Sequence, residues 1–396
     1  MTYNIALPSL LSKVDLHSHF HDLMVLNTDG VVRGHDEFLL AIPSGPEKVI
    51  SFSKFILKNE GRDAQHIRTL TIRDTAFNHR PEGSSPPRKD YSPCALLVDA
   101  IVHARNLQHI HIERLESLIE KTPSLVTVIS GYQQLESIAF ENVGRLSLST
   151  LRNSRSAPRS ITLRECGTLT LADVLKSLDA CAGSLEELTL INYAGGRLDG
   201  CATVWERVHT VDLVPSHPFP LSPLPALVRA FPNVRIARLG NFDQGHGVPE
   251  SVVQLPAGSG TTKPHTTFLQ DSVAVQWPNL DSLQIYGPLP LLIPPVRRLL
   301  YRQTIGVHEG EDNIAKALQA IERMAPVVLS VWLRGLPDAY LQGLSRGMKT
   351  VRFLQLSQDR PPTHLKELKE HLSALVRVTL HLLIRRSMHL LKLSLQ

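Results

Sequence analysis

Histidines one residue apart occur at two places in this chain, and the first lies among other groups able to hold a metal ion. Asp15-Leu16-His17-Ser18-His19 runs on to His21, Asp22 and the Asp29-Gly30 pair. Side chains two apart on an extended strand share a face. Neutral imidazoles placed that way suit a divalent cation, and the chemistry would be metal-dependent hydrolysis. The second pair, His109-Ile110-His111, has the same spacing. No GxSxG, Walker-type glycine loop, HExxH or GxGxxG before a helix is present, which removes the commoner nucleophilic and nucleotide-binding chemistries.

The element that must position most other residues is a repeat. Its clearest copy is Pro158-Arg159-Ser160-Ile161-Thr162-Leu163-Arg164-Glu165-Cys166, followed by Leu171, Val174, Leu175 and Leu178 on one helical face. An apolar residue at x, x+3 and x+5 recurs as Ile67/Leu70/Ile72, Leu107/Ile110/Ile112, Leu135/Ile138/Phe140, Leu185/Leu188/Leu190 and Val208/Val211/Leu213. Further on come Val234/Ile236 with Leu239, Leu280/Leu283/Ile285, Val328/Val331/Leu333, Val351/Leu354/Leu356 and Leu375/Val378/Leu380. Most starts are about 23 to 28 residues apart, the period of leucine-rich repeats. Three longer gaps hold an insertion or a degenerate unit, such as Val296-Arg297-Arg298-Leu299-Leu300. The second histidine pair falls inside one hexad, which accounts for it without a metal.

This predicts an α/β fold: a leucine-rich-repeat solenoid with a curved parallel sheet inside and helices outside. The expected organisation is an irregular amino-terminal segment over residues 1–45, with a short helix around 7–14, then a solenoid over 46–396. Pro46 opens the first helix and Gly61 closes it in a left-handed conformation. Loop insertions are expected near 79–93 and 243–267, both rich in Gly, Pro, Ser and Thr. The apolar stretch from Leu380 onward reads as a final repeat and cap.

The bulk numbers fit an intracellular repeat protein. Hydrophobic residues make up 42% but aromatics only 5%, so Leu carries the burial. Net charge is +5 and the Lys and Arg are scattered, which argues against nucleic acid as a partner. Cys94, Cys166, Cys181 and Cys201 form no CxxC pair and read as buried, reduced thiols. Neither a secretory signal nor a membrane span is visible, so cytoplasm or nucleus is expected.

Residues between the apolar ones should form the inner, concave face. As partner-binding candidates the pattern selects Arg68, His109, His111, Glu136, Arg159, Glu187, His209, Asp212, Arg235, Asp281, Trp332, Arg352 and Phe353. No cofactor and no catalytic residue are expected. His17 and His19 are the alternative metal ligands.

Two resemblances follow from these motifs. Asp15-Leu16-His17-Ser18-His19 resembles the metal-binding opening of amidohydrolase-type and polymerase-histidinol-phosphatase-type hydrolases. Those families need further ligands at strand ends across a barrel, where this chain follows repeat periodicity instead. The Leu-x-x-Leu-x-Leu units, the Cys166 turn and a helix over Glu47–Asn59 before a first strand resemble fungal F-box/leucine-rich-repeat proteins over roughly residues 46–380. That resemblance implies a protein target on the repeats and, through an amino-terminal F-box, docking on the adaptor subunit of a cullin-type ubiquitin ligase. An F-box would begin near Leu7-Pro8, but its later helical half, with a Val-Cys-Arg-x-Trp-like end, is missing. The expectation is therefore a non-enzymatic interaction scaffold, with ligase adaptor and metal-dependent hydrolase as alternatives.

Overall fold

The structure is a computed structural model. It describes residues 9, 11–17, 45–58, 60–79, 88–196, 198, 202–217, 219–220, 224–240, 242–243, 277–286, 295–306, 311–334, 350–358, 379–384 and 390–394. Two compact units are present, Met1–Ala194 and Gly195–Gln396.

The first unit follows one rule from strand to strand. Its sheet is β1 (Lys13–Leu16), β2 (Thr69–Ile72), β3 (His109–Ile112), β4 (Ser137–Glu141), β5 (Ser160–Arg164) and β6 (Glu187–Tyr193), adjacent in chain order and all parallel. Apolar and polar residues alternate along each strand, so one face is buried. In-register pairing stacks like on like. Val14, Leu70, Ile110, Ile138, Ile161 and Leu188 form one buried row; Leu16, Ile72, Ile112, Phe140, Leu163 and Leu190 form the next. Fully burying each such side chain contributes roughly 1.5–3 kcal/mol. The helix expected to run to Val14 gives way for this reason: Val14 and Leu16 extend the two rows, which a helix would forfeit.

Ahead of each strand one backbone carbonyl accepts two N–H groups from the following strand. Arg68 O takes Gln108 and His109; Gln108 O takes Glu136 and Ser137; Glu136 O takes Arg159 and Ser160; Arg159 O takes Glu186 and Glu187. Two residues past the last buried strand position the chain passes through a left-handed residue: Arg114, Asn142, Glu165 and Asn192, with φ between 52° and 58°. The residue after each turn points inward and is buried. These are Leu115, Val143, Cys166 and Tyr193, so the role read for Cys166 recurs with larger side chains.

Helices cover the apolar rows: α1 (Gly45–Lys58), α2 (Cys94–Ile101), α3 (Leu115–Lys121), α4 (Ser124–Gly131), α5 (Arg145–Arg152) and α6 (Leu171–Ser177). Gly61 ends the α1 region at φ 73°, its N–H donating to Ile56 O at 3.2 Å. Thr170 caps α6 through a capping box with Asp173. The cap of α5 comes from another helix. Glu116 of α3 accepts from the backbone N–H groups of Gly144, Leu146 and Ser147 at 2.9–3.0 Å and from the Ser147 hydroxyl at 2.7 Å. Burial alone would raise the Glu116 pKa; these donors outweigh it and hold the carboxyl below its ordinary value.

The second unit repeats the rule. Its strands are β7 (Thr210–Pro215), β8 (Ile236–Gly240), β9 (Ser282–Tyr286), β10 (Arg298–Gly306), β11 (Val328–Arg334), β12 (Phe353–Gln358), β13 (Thr379–Ile384) and β14 (Leu390–Ser394), with helices α7 (Leu224–Ala230) and α8 (Glu311–Met324). Pairing is parallel until β13–β14, which is antiparallel; the apolar end is thus a reversed pair and not one more parallel repeat. Val211, Ala237, Leu283, Leu299, Leu329 and Leu354 share one register row.

Three sequence readings change here. Ile236 is 38% exposed while Ala237 is fully buried, so that hexad is Val234/Ala237/Leu239. Val328 is half-buried and Leu329 is buried, which moves the next one to Pro326/Leu329/Val331. Val296, Leu299 and Tyr301 are all buried, so the stretch read as a degenerate unit has the same burial spacing as its neighbours. Most of the 79–93 loop and all but Asp243 of the 243–267 loop lie outside the described residues, as does the first part of Leu375/Val378/Leu380. The first loop begins and ends on a short antiparallel pair, Asn78–His79 with Arg88–Lys89.

Register is open to test by paired substitutions and chemical denaturation. Leu188→Asp and Ala237→Asp each bury an unpaired carboxylate and should cost at least about 3 kcal/mol. Glu187→Ala and Ile236→Asp, one residue away on the open side, should cost about 0.5 kcal/mol or less. Equal losses within a pair would mean the face is wrongly assigned.

The Glu116 cap predicts a pH signature. Its folded pKa is depressed, so its contribution is fully present above the ordinary glutamate value and is lost as pH falls through the folded value. Glu116→Gln should destabilise the chain by about 1 kcal/mol at neutral pH. In a melting series the gap between the two proteins should close on acidification; a gap independent of pH would refute the ionised cap.

Candidate functional site: the open face of the first sheet

The residues that alternate with the buried rows lie together on the open face of the first unit. Register places them in three rows across β1 to β6. The entry row is Lys13, Thr69, His109, Ser137, Ser160 and Glu187; the middle row is Asp15, Thr71, His111, Ala139, Thr162 and Thr189. The exit row continues the alternation by one residue: His17, Arg73, Glu113, Glu141, Arg164 and Ile191. Every member of the middle row is half-buried.

Charge on this face is organised in pairs. Arg73 donates to both oxygens of Asp15, at 3.0 and 2.9 Å, and His17 Nδ1 lies 3.3 Å from Asp15 Oδ1. Burial pulls the Asp15 pKa up, but the Arg73 fork and the two neighbouring charges win and hold it below its usual value. Beside this pair, Asp74 lies 2.6 Å from Lys89 and 3.8 Å from Arg114. Across β4 and β5, Arg164 lies 3.4 Å from Glu141 Oε1. His111 Nε2 lies 3.6 Å from the same oxygen.

The candidate residues fall into two sets, one per unit. Arg68, His109, His111, Glu136, Arg159 and Glu187 belong to the first. Arg68, Glu136 and Arg159 stand just before their strands and are exposed, as are His109 and Glu187. Arg68 is tied to the carbonyls of Gln65 and Asn106, and Arg159 to Glu186 at 3.7 Å. In the second unit His209 pairs with the Thr210 hydroxyl at 3.1 Å, and Asp212 with Arg238 at 3.4 Å. Arg235 and Arg352 are exposed, Asp281 is half-buried, and Phe353 is 56% exposed. Trp332 is paired in register with Ser357; its side chain lies outside the description.

For the amino-terminal motif, only Asp15 and His17 are described; His19, His21, Asp22 and Asp29 are not. His17 is engaged with Asp15, whose carboxylate is already held by Arg73. Among the described residues the grouped metal-ligating side chains are His111, Glu113 and Glu141. Sequence reasoning missed Glu113, Glu141, Arg73 and Arg164 because the hexad stops at x+5. Extending the alternation to x+6 finds all four.

The thiols are poor nucleophiles. Burial pushes Cys94 and Cys166 up to about 12 and Cys181 up to about 11. Cys201 lies outside the described residues. No helix among the described residues is long and apolar enough to cross a membrane.

The Asp15–Arg73 pair is part-exposed, so its contribution should be small. Asp15→Asn is expected to cost about 1 kcal/mol or less at neutral pH, and less in high salt. Because the folded pKa is depressed, that difference is present above the ordinary aspartate value and disappears as pH falls through the folded value. Urea titrations at two salt concentrations check this; a larger loss that salt does not touch would assign Asp15 to packing.

No protein-family model matches this chain, and no curated protein matches it, so its site stands on its own geometry.

Proposed function

We propose that this chain is a non-enzymatic interaction scaffold of the F-box/leucine-rich-repeat type, which holds a protein partner on the open strand face. The observation that carries the reading is the middle row of the first unit. Thr71, His111, Ala139, Thr162 and Thr189 are short or flat side chains, half-buried and in register over five strands. They let a second surface come close to the sheet. The charged rows on either side supply the polar rim that fixes register and selects a partner.

Support for the repeat assignment is the recurrence of buried residues at x, x+3, x+5 and x+8. It holds for Leu107/Ile110/Ile112/Leu115, Leu135/Ile138/Phe140/Val143, Pro158/Ile161/Leu163/Cys166 and Leu185/Leu188/Leu190/Tyr193. The same spacing underlies the leucine-rich consensus, whose turn position takes Asn or Cys. A solenoid of such units offers its strand face to partners.

The second reading, substrate-recognition subunit of a cullin-type ubiquitin ligase, rests on the resemblance. Lys13–Leu16 is a strand of the first sheet. That stretch of residues 1–45 is therefore taken by the sheet and not available to a helical docking module. This favours the bare scaffold.

Affinity capture with the full chain as bait tests both. Partners held by the wild type should fall about tenfold or more with Thr71→Arg/Thr162→Arg, which raises two bulky charges in the middle row. Lys176→Ala, exposed on α6, should leave capture intact. Equal capture by the two variants would refute the face assignment. Purified ligase adaptor subunit should not be retained at submicromolar concentration; stoichiometric retention would promote the second reading.

A further inference from the structure

The geometry points to a divalent-cation site on the open face of the first unit, formed by His111, Glu113 and Glu141. It is separate from the amino-terminal histidine motif and shares His111 with the middle row of the face.

The topology brings the three together. His111 and Glu113 are two apart along the β3 direction and so share the open face. Glu141 ends β4; Ile112 pairs with Phe140, so Glu141 stands opposite Glu113 on the next strand. One ligand atom from each residue lies within 4.8 Å of the other two. His111 Nε2 and Glu141 Oε1 are 3.6 Å apart. Two donors about 2.1 Å from a tetrahedral zinc stand about 3.4 Å apart, so this pair already has the spacing of two zinc ligands. The ligand atom of Glu113 lies within 4.8 Å of both others, and this half-buried carboxylate closes the set by a side-chain movement.

The surroundings hold the ligands in place. The Asp74 backbone N–H donates to Glu113 Oε2 at 2.7 Å. Arg164 donates to Glu141 Oε1 at 3.4 Å. Such contacts orient carboxylates in metal sites. Arg164 also neutralises part of the charge of two adjacent carboxylates, which would otherwise repel across β3 and β4. Arg73, the residue after β2, is turned to Asp15 by its two-pronged pairing.

The donor set selects the cation. One imidazole with two carboxylates is too hard for a copper(I) site and too rich in nitrogen for calcium; it suits zinc, manganese or iron(II), with zinc favoured by intrinsic affinity. Three protein ligands leave a fourth position to solvent. Ligation needs the neutral imidazole, so affinity falls on acidification.

The test uses the full-length chain, dialysed against chelator and then titrated calorimetrically with zinc or manganese alone. One zinc per chain is expected, with a higher melting temperature on loading. His111→Ala and Glu141→Gln should each weaken binding about ten- to a hundredfold or abolish it. His109→Ala and His17→Ala should not change it. Arg164→Ala, which removes the contact that orients Glu141, should weaken zinc binding about tenfold. Melting of each metal-free variant identifies any that fails to fold, and Glu141→Gln, which keeps the side-chain shape, then decides. Absence of saturable zinc binding by the wild type, or binding unchanged in both ligand variants, overturns the site.

Discussion

In-register parallel pairing is the constraint on which this structure depends. Each strand places its residues directly over those of the strand before it, so side-chain parity is inherited from one strand to the next. A slip of one residue anywhere would turn Leu188 and Leu190 to water and drive Glu187 and Thr189 into the core. The shared carbonyl before each strand enforces the position: Arg68, Gln108, Glu136 and Arg159 each bind two amides of the following strand, whatever their side chains. The helices, the left-handed turns and the open face all follow from the depth at which the strand begins.

That constraint explains what could be read from the sequence. Period-2 alternation with a hexad spacing is visible wherever the buried residues are large and the open ones polar, as from Leu107 to Leu190. It fails where chemistry and burial part. Ile236 is apolar but open, and Ala237 is small but buried, so hydrophobicity pointed to the wrong residue of the two. Val328 and Leu329 pose the same ambiguity. The first strand was hidden because Asp15 and His17 looked like a motif, when their parity with Val14 and Leu16 was the stronger signal. The candidate face was legible as far as the hexad reached, through His109, His111 and Glu187. Its exit row was not, because the left-handed turns at Arg114 and Asn142 put the next buried residues, Leu115 and Val143, three positions after the last hexad residue and not two.

Electrostatics on the face obey the same geometry. A parallel sheet puts equivalent positions side by side, so like charges repel unless rows are mixed. Here Arg73 lies beside Glu113, and Glu141 beside Arg164. Where two acids do meet, at Glu113 and Glu141, the compensating charge is that of Arg164. Depressed carboxyl values at Asp15 and Glu116 arise from different causes: a guanidinium fork in one, three backbone amides and a hydroxyl in the other. The first belongs to the face and the second to the scaffold behind it.

The character of β1 has a consequence for self-association. Sheets that end on a long, flat, apolar strand recruit further strands, from other molecules if none is available within the chain. Among the described residues this margin of the sheet is a strand four residues long that begins on an exposed lysine. Asp15 on its open side is clasped by Arg73, and the next residue toward solvent is a histidine. An apolar side chain at position 13 or 15 would make the same margin a better template for pairing with another chain. The brevity and charge of this strand act as a stop signal for the sheet, which lets an architecture built by adding strands remain finite.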